Sequence, residues 1–590
     1  MLLLMTNTDY SSMLVAELKQ ELTALGLPTS GNKSDLIARL NSHDKEPVMI
    51  SIEADLVEEE TRYDAIFAKM KTQVIGPLNL GAIIAIFISL LMISSVLVLK
   101  PAWLGFGEDY DYQLIEFDQN QARMYAEEIV ALGHPTWEGR MSGTVEEANT
   151  SQYVLDRLSE MGYTPQPNEF QVPMHSVNSE PSFRLCVQGG FGLSPCDGPV
   201  GQIGGSQITI FQHRSDYVIQ GFSGQSAYMF NEDIQVTDLG NGSDESLWQT
   251  ATGTIGYVRG DSSKIGNTQL YSDAAVNDLA GLITVNKNYN CGKIEGNDCV
   301  PIFKGTNYDA LVAANGGTIP TEIPFISMSK DAGDIFEAMV INATEPASIE
   351  LIIDVTNDEE RTIYVPCGVI EGKSSEVIIA GAHHDTVYQA QGAVDDTSGT
   401  VTVLEIARQI AEIVNNTGKP ERTIQFCTWG GEEEGLWGSR AYVEAFQNSL
   451  RENLRLYVNL DMNHVDADFE NRGNSLTLFT NNADDYGHMQ RISDLYLEEK
   501  SEIANRYDIK FSLLDGDKGE SNEMPCNSDH CPFVYELGSK TGRAVVCYGS
   551  GSWEYHTYLD NMDRFNEESL HVSGTIYGTY MRLLAYDMNA

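Results

Sequence analysis

One run of the sequence, Val74–Leu99, is predominantly apolar and contains no charged residue. About 20 apolar residues cross a bilayer core, whereas a signal peptide has a shorter apolar region nearer the N-terminus. The pattern therefore predicts one transmembrane helix over residues 74–99. Lys69 and Lys71 precede this run, and residues 101–118 contain no basic residue. The positive-inside rule then predicts a single-pass membrane protein with a cytoplasmic N-terminus and an extracellular or luminal C-terminal part.

A second pattern predicts two short helices within residues 10–44. Apolar residues recur there at helical spacing, first at Leu14, Leu18 and Leu22 and then at Leu36, Ile37 and Leu40. The intervening segment LPTSGNK contains proline and glycine, which favour an extended connection. This pattern resembles the SAP motif, a helix-extended-helix module, and the resemblance implies DNA binding. Acidic and basic residues nearly balance over residues 1–45, so a weak DNA contact and a protein contact both stay open. Residues 45–73 have the pattern of an acidic linker and a juxtamembrane helix.

Four apolar stretches in the C-terminal part have the composition of buried strands, and each is followed by acidic or histidine side chains. They read EVIIAGAHHDTV, RTIQFCTWGGEEEG, LRLYVNLDMN and AVVCYGSGSWEYH, and helical patterns alternate with them. The alternation predicts an α/β fold with a mixed central sheet flanked by helices. Ligands in such sheets gather beyond the carboxyl ends of the strands, so we expect a histidine of HHD, an aspartate of the loop that follows it, one of the three glutamates, Asp461 and His556 to meet in one crevice. Imidazole and carboxylate groups in this mixture suit zinc, and a shared carboxylate allows two ions.

Length, charge and cysteine content narrow the class of protein. The chain has 590 residues, more than one hydrophobic core normally holds, which predicts several domains. Its 85 acidic residues exceed its 37 basic residues, for a net charge of −48, so the molecule as a whole is not built to bind nucleic acid. The nine cysteines predict three local disulfides and three buried thiols, which fits an oxidising compartment. The predicted disulfides are Cys186–Cys196, Cys291–Cys299 and Cys526–Cys531, and the predicted thiols are Cys367, Cys427 and Cys547.

The candidate metal ligands follow the order HxD…GxxD…EE…D…H, which resembles peptidase family M28 over residues 115–185 and 360–590. Members of this family include leucyl aminopeptidases and glutamate carboxypeptidases, so the resemblance implies the zinc-peptidase fold and two Zn²⁺ per chain. By this match one zinc is held by His383, Asp395 and Asp461. The other zinc is held by Asp395, which bridges, together with Glu433 and His556.

The same resemblance assigns two catalytic residues that are not ligands. Glu432 aligns with the general base, which takes the proton of the attacking water and passes it to the leaving amine. Asp385 aligns with the carboxylate that orients His383 and fixes its tautomer. Asp396 follows the bridging residue across a bond that is often cis in the family. Glu434 stands where the family usually has an apolar residue, and it receives no role.

Side chains around this motif have two interpretations each. The segment CNSDHC resembles a segment of some secreted family members, so Asp529 and His530 either line the pocket or belong to a stapled loop. Tyr555 either donates a hydrogen bond to the reaction intermediate or packs as an aromatic residue. Asp560 is predicted to be structural.

The remaining domain assignments complete the expected organisation. Residues 115–199 and 360–590 are expected to form the two parts of the peptidase domain. The strand-rich residues 200–350 resemble a protease-associated (PA) domain inserted between them and are expected to lean over the cleft; a β-rich insertion without a substrate role is the alternative.

Three functions fit the sequence. An aminopeptidase that hydrolyses N-terminal residues from peptides outside the cytoplasm is favoured. A glutamate-carboxypeptidase-like enzyme would need basic residues for an acidic substrate, and these are scarce around the motifs. A non-enzymatic scaffold or receptor would have lost metal ligands, and each position of the motif is retained.

Overall fold

A computed structural model describes most of the chain from residue 110 onward and a small part of the N-terminal region. The described residues are 18–19, 22, 33, 37, 40, 73–75, 78–79, 110–187, 196, 207–259, 265–287, 289–294, 299–317, 322–468, 473–514, 523–537 and 542–590. They belong to two compact units, Met1–Asp109 and Tyr110–Ala590.

In the first unit, the described positions of the predicted helix pair are helical. Leu18, Leu22 and Leu40 are fully buried and pack with Ile37. These are positions that helical spacing predicted to be apolar and inward-facing, so the periodicity read from the sequence is confirmed at each of them.

The predicted membrane helix is not supported by the structure. Among the described residues, no helix combines the length and the apolar composition that a bilayer crossing requires. Residues 80–99 of the predicted span lie outside the described residues. Its beginning forms two short antiparallel strands, β1 (Gln73–Ile75) and β2 (Leu78–Asn79), so the helix prediction is wrong there. Val and Ile favour extended backbone, and a proline at position 77 disfavours helix at the residue before it.

The described strands of the second unit form three sheets. They are β3 (Thr164–Val177), β4 (Ser182–Val187), β5 (Gln207–Phe211), β6 (Tyr217–Ile219), β7 (Ser226–Tyr228), β8 (Val236–Asp238), β9 (Ile255–Val258), β10 (Gly281–Val285), β11 (Phe325–Met328), β12 (Ser348–Ile353), β13 (Val355–Ile370), β14 (Val377–His383), β15 (Thr423–Trp429), β16 (Leu454–Leu460), β17 (Ser475–Thr480), β18 (Asp508–Leu513) and β19 (Ala544–Gly549).

The α-helices of the second unit alternate with these strands. They are α1 (Gln119–Val130), α2 (Val145–Glu160), α3 (Glu245–Thr250), α4 (Asn267–Val276), α5 (Tyr308–Ala314), α6 (Lys330–Phe336), α7 (Thr397–Thr417), α8 (Trp437–Asn453), α9 (Ala483–Glu499), α10 (Ser501–Ala504), α11 (His530–Tyr535) and α12 (Glu567–Tyr586). A π-helical turn (Glu337–Ile341) follows α6, and a 3₁₀ turn (Met562–Arg564) precedes α12.

The central sheet has eight strands in the order β18-β17-β19-β16-β14-β15-β13-β3. Its middle strands β15, β14, β16 and β19 are mutually parallel, and β13 and β3 continue the sheet antiparallel. Helices cover both faces: Ile378 and Ala380 of β14 join a core with α1, α7 and α12, while Ile379 joins a core with α8. Burial on both faces explains the near-continuous apolar runs of these strands. The predicted mixed α/β sheet is confirmed, and four parallel carboxyl ends meet at one edge.

The region between the two halves of the peptidase sheet folds into two further sheets. Strands β8 to β11 pair in parallel, and β6 joins them antiparallel to give the order β6-β11-β10-β9-β8. A second, antiparallel sheet has the order β5-β4-β12-β7. Strand β4, which lies within the segment 115–199 assigned to the peptidase domain, pairs with β5 and β12 and not with the eight-stranded sheet. The inserted part therefore begins before residue 200 and includes residues 182–187, because these residues pair with strands of the insert.

The disulfides correct one part of the cysteine prediction. The three local pairs are bridged as expected. Cys367 and Cys427, predicted to be thiols, form a fourth disulfide, whereas Cys547 is a free buried thiol. The two cysteines lie directly opposite each other on β13 and β15, with their Cα atoms 4.1 Å apart. Strand register, which the sequence pattern did not provide, brings them together.

Replacing Cys367 and Cys427 together by alanine should lower the free energy of unfolding by about 4 kcal/mol, because this disulfide closes a long loop. The matched removal of Cys526–Cys531, which are five residues apart, should cost only about 2 kcal/mol. Urea unfolding of the purified variants measures both values. Equal losses would contradict the assignment of the larger effect to loop closure.

Candidate metal centre

The predicted ligands come from the four parallel strand ends and one loop. His383 is the last residue of β14, and Asp461 directly follows β16. Glu433 follows the end of β15 by four residues, and Asp395 lies in the loop that precedes α7. His556 lies in the loop after β19. All five side chains are buried, so the crevice predicted at this edge of the sheet exists in the fold.

The first half of the centre is grouped around His383. Its Nε2 atom lies 3.1 Å from Oδ1 of Asp395, 3.8 Å from Oδ1 of Asp461 and 3.9 Å from Oε2 of Glu432. Ligand atoms of His383, Glu432 and Asp461 all lie within 4.8 Å of one another. This spacing allows one cation to be held between the imidazole and the carboxylates.

The second half is grouped around His556. Its Nε2 atom lies 2.6 Å from Oε2 of Glu433 and 3.3 Å from Oδ2 of Asp395. Asp395 therefore presents one oxygen to each histidine, which is the arrangement that a carboxylate shared by two ions requires. The Oδ2 atom of Asp395 is buried and accepts no hydrogen bond. This oxygen is therefore available to another partner.

Both histidines are fixed with Nε2 directed at the carboxylates. Nδ1 of His383 donates to the carbonyl oxygen of Asp385 over 3.1 Å, and the Asp385 carboxylate lies 3.5 Å from the same atom. Nδ1 of His556 donates to the carbonyl oxygen of Phe303 over 2.9 Å. Because a carbonyl only accepts, each ring carries its proton on Nδ1 and leaves Nε2 for a metal ion.

Asp385 also connects the centre to the loop after β15. Its carboxylate accepts from the amides of Glu432 and Glu433, each over 3.4 Å. Asp560 has a similar supporting role, since its carboxylate accepts from the amides of Val394 and Asp395 over 2.8 and 3.0 Å. The structural role predicted for Asp560 agrees with these contacts.

The charges of the centre are not balanced by basic side chains. Among the described residues, no lysine or arginine forms a salt bridge with Asp395, Glu432, Glu433 or Asp461. Burial and neighbouring carboxylates raise the pKa of Glu432 well above its ordinary value, and burial raises the pKa of Asp461 to about 6. Burial alone would lower the pKa of His383, but Glu432, Asp385 and Asp395 raise it well above its ordinary value. Such a donor set fits divalent cations, which would neutralise it.

Two candidate ligands each have an acidic neighbour along the chain: Asp396 follows Asp395, and Glu434 follows Glu433. The peptide bond between Asp395 and Asp396 is cis, as the family resemblance implied. The Asp396 carboxylate caps α7 by accepting from the amide of Gly399, and it also accepts from the amide of Met462. Glu434, which received no role, is buried with both oxygens lacking hydrogen bonds, and burial raises its pKa well above the ordinary value.

A cavity of about 370 Å³ opens onto the centre. Its acidic part is formed by Asp395, Glu432 and Asp461. Its aromatic walls are Tyr289, Tyr548, Trp553 and Tyr555. The ring of Tyr555 stacks on that of His556, with centroids 3.6 Å apart. The cavity therefore combines negative charge at the metal centre with flat apolar walls above it.

The loop Cys526–Cys531 is stapled, and its two candidate side chains lie elsewhere. Asp529 and His530 are not among the residues that line the cavity, whereas Asn527 is. His530 is fully buried and directs Nε2 to the carbonyl of Pro525, and burial lowers its pKa to about 4. Burial raises the pKa of Asp529 to about 8. For these two side chains the structure favours the stapled-loop interpretation over pocket lining.

Sequence reasoning missed the contribution of the inserted part. Tyr289 lines the cavity, Phe303 orients His556, and Nζ of Lys304 lies 4.4 Å from the ring centroid of Tyr555. No motif marks these residues, and they lie far from the ligands along the chain. The sequence supported only the general expectation that the insert leans over the cleft, and it did not indicate which residues of the insert reach the centre.

A helix-flanked mixed sheet with a buried His–carboxylate centre at its parallel strand ends defines the class: an α/β protein with a candidate metal centre of the kind found in metal-dependent hydrolases. Comparison with known proteins makes the family specific. Residues 367–581 match the model of peptidase family M28, and residues 9–45 match the SAP domain. The chain therefore contains a peptidase family M28 domain and a SAP domain, as their sequence patterns indicated.

Named relatives fall into two groups. The chain is 25% identical over 266 residues to an aminopeptidase of Pseudomonas aeruginosa, covering 42% of this chain and 45% of the relative. It is 32% identical over 295 residues to the "Probable lipoprotein aminopeptidase LpqL" of Mycobacterium tuberculosis, covering 47% and 55%. It is 41% identical over 169 residues to the "Glutamate carboxypeptidase 2 homolog" of Caenorhabditis elegans, covering 28% and 20%. The chain thus spans about half of the length of the first two relatives and a fifth of the third.

Solved structures share the fold. BSAP, a zinc aminopeptidase from Bacillus subtilis, superposes with a TM-score of 0.54 at 17% identity, covering 80% of this chain and 97% of BSAP. An aminopeptidase from Aneurinibacillus sp. strain AM-1 gives a TM-score of 0.51 at 20% identity, covering 80% and 94%. At these identities the likeness concerns the fold alone.

Proposed function

We propose that the chain is a zinc-dependent exopeptidase that removes N-terminal residues from peptides. The observation that carries the proposal is the pair of His–carboxylate groups that share Asp395 at the base of the cavity. The peptidase family M28 match and the relatives named aminopeptidases support the same conclusion.

Two Zn²⁺ ions fit the donor set. One would be held by His383, Asp395 and Asp461, and the other by Asp395, Glu433 and His556. By distance alone Glu432 could replace Asp395 in the first group. We prefer Asp395, because its Oδ1 atom lies closer to His383 Nε2 than the nearer Glu432 oxygen does. When bound, such a pair of ions supplies an activated water at neutral pH and polarises the scissile carbonyl.

The protein's own residues would handle the proton and the orientation of the ligands. Glu432 faces the cavity and lies beside the ligands, so its carboxylate can take a proton from the attacking water and return it to the leaving amine. Asp385 holds His383 and the amides of the Glu432 loop together. Tyr555 lines the cavity next to His556, where its hydroxyl can donate to the developing oxyanion.

Charge and shape of the cavity suit a free N-terminus. An α-ammonium group would be attracted by the Glu432 carboxylate, which lines the cavity and is assigned to neither ion, whereas an N-blocked peptide lacks that charge. A volume of about 370 Å³ lies at the lower end of small-molecule pockets, which suits the terminal residue of a peptide. The walls formed by Tyr548 and Trp553 suit a large apolar side chain on that residue.

The test uses the full chain and matched substrates. Aminoacyl-coumarins should be hydrolysed, with leucyl and phenylalanyl substrates preferred, and their N-acetylated counterparts should not. A chelator should abolish hydrolysis and added Zn²⁺ should restore it. Cleavage of blocked and free substrates at equal rates, or activity that survives complete removal of metal, would refute the proposal.

A second candidate function is release of a C-terminal acidic residue, and Lys304 is the observation that favours it. Its Nζ lies 4.4 Å from the ring of Tyr555 and 5.2 Å from that of Tyr289, beside the cavity. Among the described residues, no carboxylate forms a salt bridge with this Nζ. Glu433 and Asp395 act on this ammonium group through their charge, and a substrate carboxylate would be a direct partner for it.

For this second function, the full chain should release glutamate from N-acetylated peptides. Lys304→Met should then lower kcat/KM on these peptides by about 10-fold or more, since a charge-assisted hydrogen bond contributes about 1.5–3 kcal/mol. Lys330→Met is the control, because that Nζ lies 3.2 Å from Asp334 at the surface. No glutamate release by the wild type rules this function out.

The other domains suggest a location and a contact. Four disulfides support an oxidising, extracytoplasmic compartment for the peptidase domain. A membrane anchor over the remaining residues 80–99 of the predicted span rests on their sequence alone, and extraction of the chain from membranes by alkaline carbonate would exclude it. The SAP domain supports a nucleic-acid or protein contact. Failure of residues 1–60 to shift duplex DNA at low salt would leave the protein contact.

A further inference from the structure

We infer that the inserted segment Ile302–Gly305 is an integral part of the second metal site and fixes the position of His556 through its main chain. The inference rests on the proposed function, since it concerns the ion that Asp395, Glu433 and His556 would hold. Phe303 acts here as a positioning residue, because it touches the ligand and not the substrate.

His556 needs an external restraint. Its backbone has φ of 56°, in the left-handed region that residues other than glycine rarely occupy. Two hydrogen bonds with Phe303 hold it there: the Phe303 amide donates to the His556 carbonyl over 3.0 Å, and His556 Nδ1 donates to the Phe303 carbonyl over 2.9 Å. Gln389 also donates to the His556 carbonyl, over 3.1 Å. The insert therefore holds both the backbone and the ring of this ligand, and Gln389 adds a second restraint on the backbone.

The two histidines of the centre differ in how they are held. The ring of His383 is oriented by Asp385, two residues away on the same strand end. The ring of His556 is oriented by Phe303, which belongs to a different part of the chain. Displacement of the insert would therefore free the ring of His556 and leave that of His383 in place. The affected ion would be the one held by His556.

The segment is fixed on its other side by Gln220. This side chain is fully buried; its Nε2 donates to the Ile302 carbonyl over 3.0 Å, and its Oε1 accepts from the Lys304 amide over 2.8 Å. Asn267 donates to the same Oε1 over 2.8 Å. Gln220 thus bridges both ends of the short segment that carries Phe303, although it contacts no candidate ligand.

The segment also packs closely against the loop after β15, which carries Glu433. A Cβ atom added at Gly305 would stand 2.8 Å from the carbonyl oxygen of Glu433, closer than real Cβ contacts allow. The atom in the way is backbone, so either the segment or the loop must shift. Gly305 does not have a positive φ, so alanine itself is compatible with its backbone. Gly305→Ala therefore disturbs the contact between the insert and this loop without changing the chemical identity of any ligand.

The experiment measures zinc binding by the metal-free full chain in competition with a chromophoric chelator. The wild type should bind two ions. Gly305→Ala and Gln220→Met should each weaken one ion by about 10- to 100-fold, the range found for groups that orient metal ligands, and leave the other within about 3-fold. His556→Ala should lose the same ion, and Asp461→Asn should lose the other. Gly281→Ala is the control within the insert, because its new Cβ would have only ordinary contacts, the nearest at 3.4 Å.

The outcomes are distinct. Wild-type affinity for both ions in Gly305→Ala and Gln220→Met overturns the inference, and so does equal weakening of both ions, which would indicate general destabilisation. A wild type that binds fewer than two ions also overturns it. A wild type that binds two ions but hydrolyses no peptide refutes the proposed function and leaves the inference standing. Thermal unfolding of each variant shows whether the fold is retained.

Discussion

Glu432→Gln should lower kcat by about 10² to 10⁴-fold while both zinc ions stay bound with affinities close to those of the wild type. The amide keeps the size of the side chain, but it cannot take a proton from water. Glu432 lines the cavity and is the carboxylate that we exclude from the ligand set, so its loss should affect turnover and not metal content. Steady-state kinetics on a leucyl substrate and zinc analysis of the same preparation measure both quantities.

Glu434→Gln is the matched control for this prediction. Glu434 is buried two residues further along the same loop, does not line the cavity and is assigned to no ion, so the amide should change neither the proton transfer nor the metal content. Its kcat should stay within a few-fold of the wild type. If Glu432→Gln loses zinc as readily as activity, Glu432 is a ligand and the general base must be sought elsewhere.

Asp395→Ala should reduce activity by about 10³-fold or more, because several kcal/mol of transition-state stabilisation by the metal centre would be lost. Asp395 presents one oxygen to each histidine, at 3.1 Å from His383 and 3.3 Å from His556. Both ions should therefore bind more weakly, in contrast to His556→Ala, which should affect one. Zinc content after dialysis and kcat at saturating Zn²⁺ test the two parts separately.

The neighbouring carboxylate provides the control. Asp396 caps α7 and accepts from the amide of Met462, and its side chain is assigned to no ion. Asp396→Asn should keep both zinc ions and change the stability by less than about 1 kcal/mol, because asparagine caps a helix about as well as aspartate. Retention of both ions by Asp395→Ala would contradict a bridging role for this residue.

Much of the candidate centre could be predicted from the sequence because strand ends are local features. His383 ends one mainly apolar strand of seven residues, and Asp461 directly follows another. Parallel pairing brings such strand ends to one edge of the sheet. The prediction that these side chains meet needed no knowledge of strand order. The register between strands that are distant in sequence could not be predicted in this way. Cys367 and Cys427 each have the sequence surroundings of a core residue, and they form a disulfide because they lie opposite each other on adjacent strands.

Contacts between domains could not be predicted for a related reason. Phe303 contacts His556 through its main-chain amide and carbonyl groups. Every residue except proline has both groups, because proline lacks the amide donor. No side-chain pattern distinguishes this position from its neighbours. Lys304 likewise lies outside the motifs, so the scarcity of basic residues around the motifs gave no information about the lysine beside the cavity.

The pairing of β3 with β13 has a consequence for how the chain acquires its fold. Val177 lies opposite Val355, and the ladder continues to Thr164 opposite Val369. Residues 178–354 must therefore be synthesised before this edge of the peptidase sheet can close. Contacts so distant in sequence carry a loop-closure cost and slow folding. During translation the insert would be ready to fold first, and the sheet that carries the metal ligands would assemble against an already formed surface.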